Sequence, residues 1–399
     1  MSKIFKIFAL ALASMLTFST LCFTSSCSNE DGATFFPTIT IAQANGGEEY
    51  TPSINTNNSE EVEIPLLSGA IYDLCANYEI CKSEGKNPDK TDIFAPTPIK
   101  ITWTSNETPL YYEFHLSDSH EMTNPTSYMV NTNSVTLENL FMGWDYYYQI
   151  YAQFENKMIK SRVFKFSTSY LPRTIFVDEN VSNTRDWGGY YTEDGKYRVK
   201  QGIVYRGGKL EGASAQGKAF MLDALGIKTD LDVRGDGEST GTSPLGKSVN
   251  YIETKGPYYL GGTGIDFGDV VSSDRKAYLN ALVTEIRAFA NPDNFPIYVH
   301  CSLGRDRTGT ICFLINALLG VGKMDLYRDY ELSLMSKSGT GDNPTAAHMV
   351  GTAFGRMYNY VRNFRYTDSL AKSAEIYMLS LGITEEEIAA IKNNMLEKI

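Results

Sequence analysis

Phe295-Pro296-Ile297-Tyr298-Val299-His300-Cys301-Ser302-Leu303-Gly304-Arg305-Asp306-Arg307-Thr308-Gly309 decides how the rest of this chain is read. Residues 295–299 are a short apolar, β-prone run, the pattern of a buried strand. From 308 to 319 the apolar residues Ile311, Phe313, Leu314, Ala317 and Leu318 fall at helical spacing, and Gly320 and Gly322 offer a stop. Between strand and helix, successive backbone N–H groups in a tight turn form an anion-binding nest, and the helix adds its positive N-terminal end. Gly304 supplies backbone freedom, and Arg307 a planar fork that matches two oxygens of a phosphate. Cys301 would lie at the base of that positive pocket, where a thiol ionises below its ordinary value of about 8.5. An ionised sulfur facing a bound phosphoryl group is a nucleophile.

Working outward, residues 222–234 read as a helix end, a glycine cap at Gly226 and a strand ending in Asp232-Val233-Arg234. A helix is expected over 275–289, where Tyr278, Leu279, Leu282, Val283, Ile286 and Phe289 share a face. It feeds the strand and loop quoted above. Thr384 and Glu387 make a capping-box pattern near the end of a mainly helical tail. Strands alternating with helices predict an α/β domain over 171–399, with a mostly parallel central sheet flanked by helices.

The preceding part reads differently. Strand-like runs at 62–67, 99–103, 111–116, 134–137, 146–154 and 163–167 are separated by Gly, Asn, Asp and Pro clusters, which favours an all-β sandwich over 51–170. Over 96–169 the order of runs is similar to a fibronectin type III or immunoglobulin-like domain. That likeness makes Trp103 the core tryptophan and Tyr146 or Tyr148 the tyrosine leading into a late strand. Trp144, Tyr146, Tyr147 and Tyr148 offer either a glycan- or protein-binding patch or, the commoner use of such residues, core and strand surface. Residues 28–50 are polar and turn-rich and read as a tether. Residues 1–27 read as a lipoprotein signal peptide: Lys3 and Lys6, an apolar run from Ile7 to Leu16, then Thr24-Ser25-Ser26-Cys27 with a cysteine to be lipidated. The expected location is therefore exported and lipid-anchored to a bacterial cell envelope, facing the periplasm or the surface.

A net charge of −11 argues against a nucleic-acid binder, which would show a basic face. Of the six cysteines, Cys75 and Cys81 are close enough to bond in an oxidising compartment, while Cys312 lies on the helix after the loop and reads as core. No Cys/His set has zinc spacing and the four histidines are scattered, so neither a metal site nor a cofactor is expected.

His300-Cys301 through Arg307-Thr308-Gly309 carries the Cys-x5-Arg signature of cysteine-dependent tyrosine phosphatases. With Asn183-x-Arg185-Asp186-x-Gly188-Gly189, Tyr205-Arg206-x-Gly208 and Asp232-x-Arg234, residues 175–399 resemble the bacterial tyrosine/phosphoinositide phosphatases similar to the mycobacterial secreted tyrosine phosphatase B. The resemblance implies that Cys301 attacks phosphorus and that Arg307 stabilises the equatorial oxygens. It implies that Ser302, Leu303, Gly304, Arg305 and Thr308 line the phosphate site, and that His300 orients the loop. The general acid is expected to be Asp306, then Asp232, with Asp266 and Asp269 on a glycine-rich stretch as further carboxylates. Arg185, Asp186, Arg206 and Arg234 read as a buried charge network holding the loop. Arg305 stands where phosphoinositide-accepting relatives carry lysine. The substrate expectation is protein phosphotyrosine, with phosphoinositide or inositol phosphate as the alternative. A reading from another class is a surface lipoprotein that captures phosphorylated ligands without turnover.

Overall fold

The computed structural model describes residues 98–105, 107–170, 172–235, 237–259, 275–336, 353–365 and 367–399, residue 96, and short strands at 41–45, 48–50 and 63–64. Four sequence readings lie outside these residues: the lipoprotein leader, the Cys75–Cys81 pair, and the carboxylates Asp266 and Asp269.

The larger of two compact units takes in residues 63–99, 138–144 and 167–399, and the other comprises 1–62, 100–137 and 145–166. In the smaller unit, β1 (Ile41–Asn45) pairs antiparallel with β2 (Glu48–Tyr50) and with β4 (Ile99–Trp103). The tether expected over 28–50 is therefore corrected for Ile41–Asn45 and Glu48–Tyr50, which are strands. The run Asn45-Gly46-Gly47-Glu48, taken as linker composition, is equally a hairpin signal between two strands. The short β3 (Glu63–Ile64) falls within the expected 62–67 run. Next come β5 (Tyr111–Ser117), β6 (Thr126–Val130), β7 (Ser134–Leu137), β8 (Asp145–Gln153), β9 (Met158–Lys160) and β10 (Phe164–Thr168). β5 pairs antiparallel with β6 and β8, and β8 with β9. Trp103 is buried, edge-on to Tyr112 and stacked on Phe114, and Tyr148 stacks on Phe114 and Phe164. Tyr146 and Tyr148 are thus core residues, the ordinary use of aromatics on alternating strand positions.

The larger unit holds a five-stranded mixed sheet flanked by helices, with strand order β11–β13–β16–β14–β15. Its strands are β11 (Arg185–Asp186), β13 (Val204–Gly207), β14 (Thr229–Asp232), β15 (Asn250–Glu253) and β16 (Ile297–His300), and only β11 runs antiparallel. A separate pair, β12 (Tyr197–Val199) and β17 (Leu396–Lys398), ties the last residues to residue 197 onward. β16 is central and wholly buried, flanked by parallel β13 and β14, which explains its unbroken apolar run. Among the described residues the α-helices are α1 (Ala215–Ala219), α2 (Arg275–Ala288), α3 (Asp306–Leu319), α4 (Lys323–Met335), α5 (Ala353–Arg362), α6 (Leu370–Ser380) and α7 (Glu385–Met395). Residues 307–319 of α3 are all buried, as befits a helix apolar on every side, and Gly320 ends it in a left-handed cap. The capping box of Thr384 and Glu387 forms at α7. Cys301 follows the carboxyl end of the central strand, where open α/β sheets present ligands at the point of strand-order reversal.

Candidate active site

The 302–305 loop is shaped by where its carbonyls go. Ser302 O accepts from the Lys209 amide (3.3 Å), and Leu303 O from Asn183 Nδ2 (2.9 Å). Gly304 O accepts from Arg206 Nη2 (2.8 Å), and Arg305 O from the Gly309 amide (2.9 Å) and the Tyr259 hydroxyl (3.3 Å). In a trans peptide the carbonyl and the next amide point in opposite directions. Four carbonyls held outward therefore turn the amides of residues 303–306 toward one centre, continuous with the N-terminus of α3. Gly304 takes φ 69°, and a Cβ there would meet the Gly207 carbonyl oxygen at 2.2 Å, so no other residue fits. The result is a cradle for an oxyanion.

Cys301 is 4% exposed at its base. Burial alone would raise the thiol pKa. The Thr308 hydroxyl and amide, the Arg307 guanidinium and the Leu303 amide outweigh it and hold the thiol below its ordinary value. Thr308 is itself buried, and its hydroxyl contributes the largest of these lowering effects on the Cys301 thiol. The other buried thiol, Cys312, lacks such donors, and burial pushes it up to about 12. It is a core residue, as its helical position suggested.

Beneath the loop, His300 is fully buried with Nε2 2.9 Å from Asp230 Oδ1, while Ser243 Oγ donates to Asp230 Oδ2 (2.7 Å). Burial disfavours the charged imidazole, but the Asp230 carboxylate overrides it and raises the ring's pKa. His300 thus holds a proton more readily than a free imidazole does, directly before the nucleophile in the chain.

The four residues expected to form one charge network belong to three. Arg185 (Nε to Oδ1, 2.8 Å) and Arg206 both bind Asp329 of α4, and Arg206 also carries the Gly304 carbonyl. Asp186 accepts from Arg173 (2.6 Å) and from the amides of Gly188 and Gly202. Arg234 binds Asp232 through Nε (2.8 Å) and Nη2 (2.6 Å), and also Glu211. Asp232, placed second as general acid, has no exposed side-chain surface and also accepts from the Tyr251 hydroxyl (3.0 Å). Burial would raise its carboxyl, but Arg234 and His300 hold it below the usual range. It is an ionised acceptor that positions Arg234, not a proton donor.

Asp306 opens α3 with its side chain 28% exposed, both oxygens accepting from Arg305 Nε (3.2 and 3.0 Å). Arg307 lies 5.4 Å from the ring of Tyr258, which is 41% exposed. Its guanidinium donates to the Arg234 carbonyl (2.9 Å), to Ser302 Oγ (3.3 Å) and, through both terminal nitrogens, to Glu238 (2.8 Å each).

Sequence reasoning missed Asp230, Glu238, Tyr259 and Asp329. Asp230 had a signal: Thr229-Asp230-Leu231-Asp232 places two carboxylates on one face of a buried strand, and a buried carboxylate requires partners. The others lie 42 to 63 residues before Cys301 or 28 beyond it, with no local pattern marking them.

This strand–loop–helix, with its buried low-pKa thiol and inward amides, defines a domain of the cysteine-nucleophile phosphate-site class. A family model described as "Tyrosine phosphatase family" matches residues 178–397, more than half of the chain, and the chain belongs to that family. It is 29% identical over 168 residues to a provisionally named tyrosine-protein phosphatase of Cupriavidus necator, covering 38% of this chain and 60% of that protein's length. Two solved structures of a Siw14 catalytic core, the first described as from S. cerevisiae, also match. The one of the PP-IP phosphatase core bound to citrate is 16% identical, covers 37% of this chain and 75% of its own, and has a TM-score of 0.25. The other is 15% identical, covers 52% and 92%, and has a TM-score of 0.26. At such scores these two likenesses carry no structural conclusion.

Proposed function

We propose that residues 171–399 hydrolyse phosphomonoesters, protein phosphotyrosine foremost, through a phosphocysteine at Cys301. The observation that carries this is the set of carbonyl contacts at 302–305, which turns the loop amides inward above an acidified thiol, with the Arg307 guanidinium on Ser302 of the same loop. Cys301 Sγ attacks phosphorus, the S–P bond forms, and the P–O bond to the leaving group breaks. The amides and Arg307 hold the equatorial oxygens as charge shifts onto them, the main catalytic need in phosphoryl transfer. Asp306 gives the leaving oxygen its proton. Water then attacks phosphorus while Asp306 takes its proton back, the S–P bond breaks to a thiolate steadied by Thr308, and inorganic phosphate departs. For Asp306 to act, Arg305 must release it, and a bound phosphoryl group gives Arg305 an alternative partner. The exposed Tyr258 ring beside Arg307 favours an aromatic phosphoester over a phosphoinositide or inositol phosphate.

The test is Asp306→Asn on aryl and alkyl phosphates. Loss on the order of 10²–10⁴-fold is expected for the alkyl ester, whose leaving group most needs a proton, and a smaller loss for p-nitrophenyl phosphate. Equal losses on both would remove Asp306 from the acid role.

The finer readings of the earlier residues are part of the same proposal. The runs over 51–170 form a fibronectin type III- or immunoglobulin-like spacer with a glycan or protein ligand, and Cys27 carries a lipid that anchors the enzyme to the cell envelope. Radiolabelled palmitate is expected on the wild type and not on Cys27→Ser, and label retained by the variant would overturn the anchor.

A further inference from the structure

Among the described residues, Glu238 is the carboxylate whose side chain reaches into the phosphate cradle from a turn outside the Cys301 loop. It accepts from Arg307 Nη1 at Oε1 and from Nη2 at Oε2, both at 2.8 Å, and from Ser302 Oγ at Oε2 (2.7 Å). Gly237, immediately before it, adopts φ 83°, a conformation that only glycine takes without strain. The Glu238 side chain is 45% exposed, so water can solvate it once it leaves. Two oxygens on the two terminal nitrogens of Arg307, plus a hydroxyl from the loop, are the contacts two equatorial phosphoryl oxygens would make.

We propose that Glu238 is an intramolecular competitor for the phosphate cradle, and that the exchange of its carboxylate for the substrate's phosphoryl group sets the site's affinity. This rests on the reading of the 302–307 loop as a phosphoryl site. Arg307 cannot give both nitrogens to two acceptors at once. Each oxyanion that binds must first displace Glu238, and its apparent dissociation constant is the intrinsic one divided by the fraction of molecules with the cradle free. A half-exposed bidentate ion pair corresponds to a factor of roughly ten. Because the competitor is removed before any ligand enters, that factor is the same for every ligand of the cradle, whatever its shape.

The test uses the full chain, the wild type beside Glu238→Gln and Glu238→Ala. Inorganic phosphate and tungstate are titrated calorimetrically, and p-nitrophenyl phosphate is assayed for KM and kcat separately. The expected result is tighter binding of both anions by one common factor of roughly ten, and a fall in KM by a similar factor. A residue that merely supported the turn would weaken binding or lower kcat. Unchanged or weaker anion binding in both variants, with wild-type turnover intact, overturns the competitor role and leaves the proposed function standing. Gains that differ widely between phosphate and tungstate also overturn it, since they point to a direct contact. Absence of binding and turnover in all three proteins overturns the phosphoryl site itself, and this inference with it.

Discussion

Cys301→Ser is expected to lower hydrolysis of p-nitrophenyl phosphate by roughly 10⁴-fold or more, while phosphate still binds. The serine keeps the shape of the site and leaves the inward amides and Arg307 in place. What it loses is an ionised nucleophile, because nothing in the cradle brings a hydroxyl near ionisation at neutral pH. The Thr308, Arg307 and Leu303 donors that lower the Cys301 pKa favour the thiolate, so iodoacetamide should alkylate Cys301 with a pH midpoint below the ordinary thiol value of about 8.5. The sign follows from the charge stabilised: donors to sulfur extend the thiolate to lower pH, and reactivity falls only as pH drops through that lowered value. Cys312, pushed up to about 12, should resist the reagent in the folded protein. A midpoint at or above that ordinary value for Cys301 would count against the donor arrangement.

Asp329→Ala should be the most damaging single change to stability in the larger unit, costing about 3–5 kcal/mol. Asp329 is 5% exposed, and burial would raise its carboxyl, but Arg185 and Arg206 together hold it below the usual carboxylate range. Both guanidiniums are themselves buried, at 0% and 1% exposure. Removing the carboxylate leaves two buried like charges facing each other, which costs far more than an exposed ion pair contributes. Function should suffer with stability, since Arg206 also holds the Gly304 carbonyl outward and so aims the next amide inward. Denaturant unfolding of the variant checks this. A loss under about 1 kcal/mol, the range of exposed pairs, would contradict a shared buried anchor.

What was legible in the sequence was local. The strand at Ile297–His300 and the helix at Asp306–Leu319 announce themselves by an unbroken apolar run and by apolar residues at helical spacing. The Thr384–Glu387 capping box needs only a four-residue window. Strand order was not legible, because β16 pairs with β13 and β14, chain segments that precede it by more than sixty residues. Strand β6 escaped for another reason. It lies at a sheet edge with alternate residues exposed, Met129 at 70%, so it carries no apolar alternation to read. At the site, the motif covers the loop itself, from Cys301 to Arg307. The residues that hold it in place, Asp230 under His300 and Asp329 under Arg206, depend on contacts between distant segments. Asp232 illustrates the converse: the pattern placed it second as general acid, and its full burial against Arg234 marks it instead as an ionised acceptor.

The central claim is that phosphorus passes through sulfur at Cys301. The most direct measurement is acid quench of the wild type during turnover of p-nitrophenyl phosphate, followed by mass analysis of the peptide holding residues 300–307. One phosphoryl group on that peptide, absent from Cys301→Ser treated alike, is the expected result. Steady turnover with Cys301 unmodified at every quench time, or the phosphoryl group on His300 or Ser302, would contradict it.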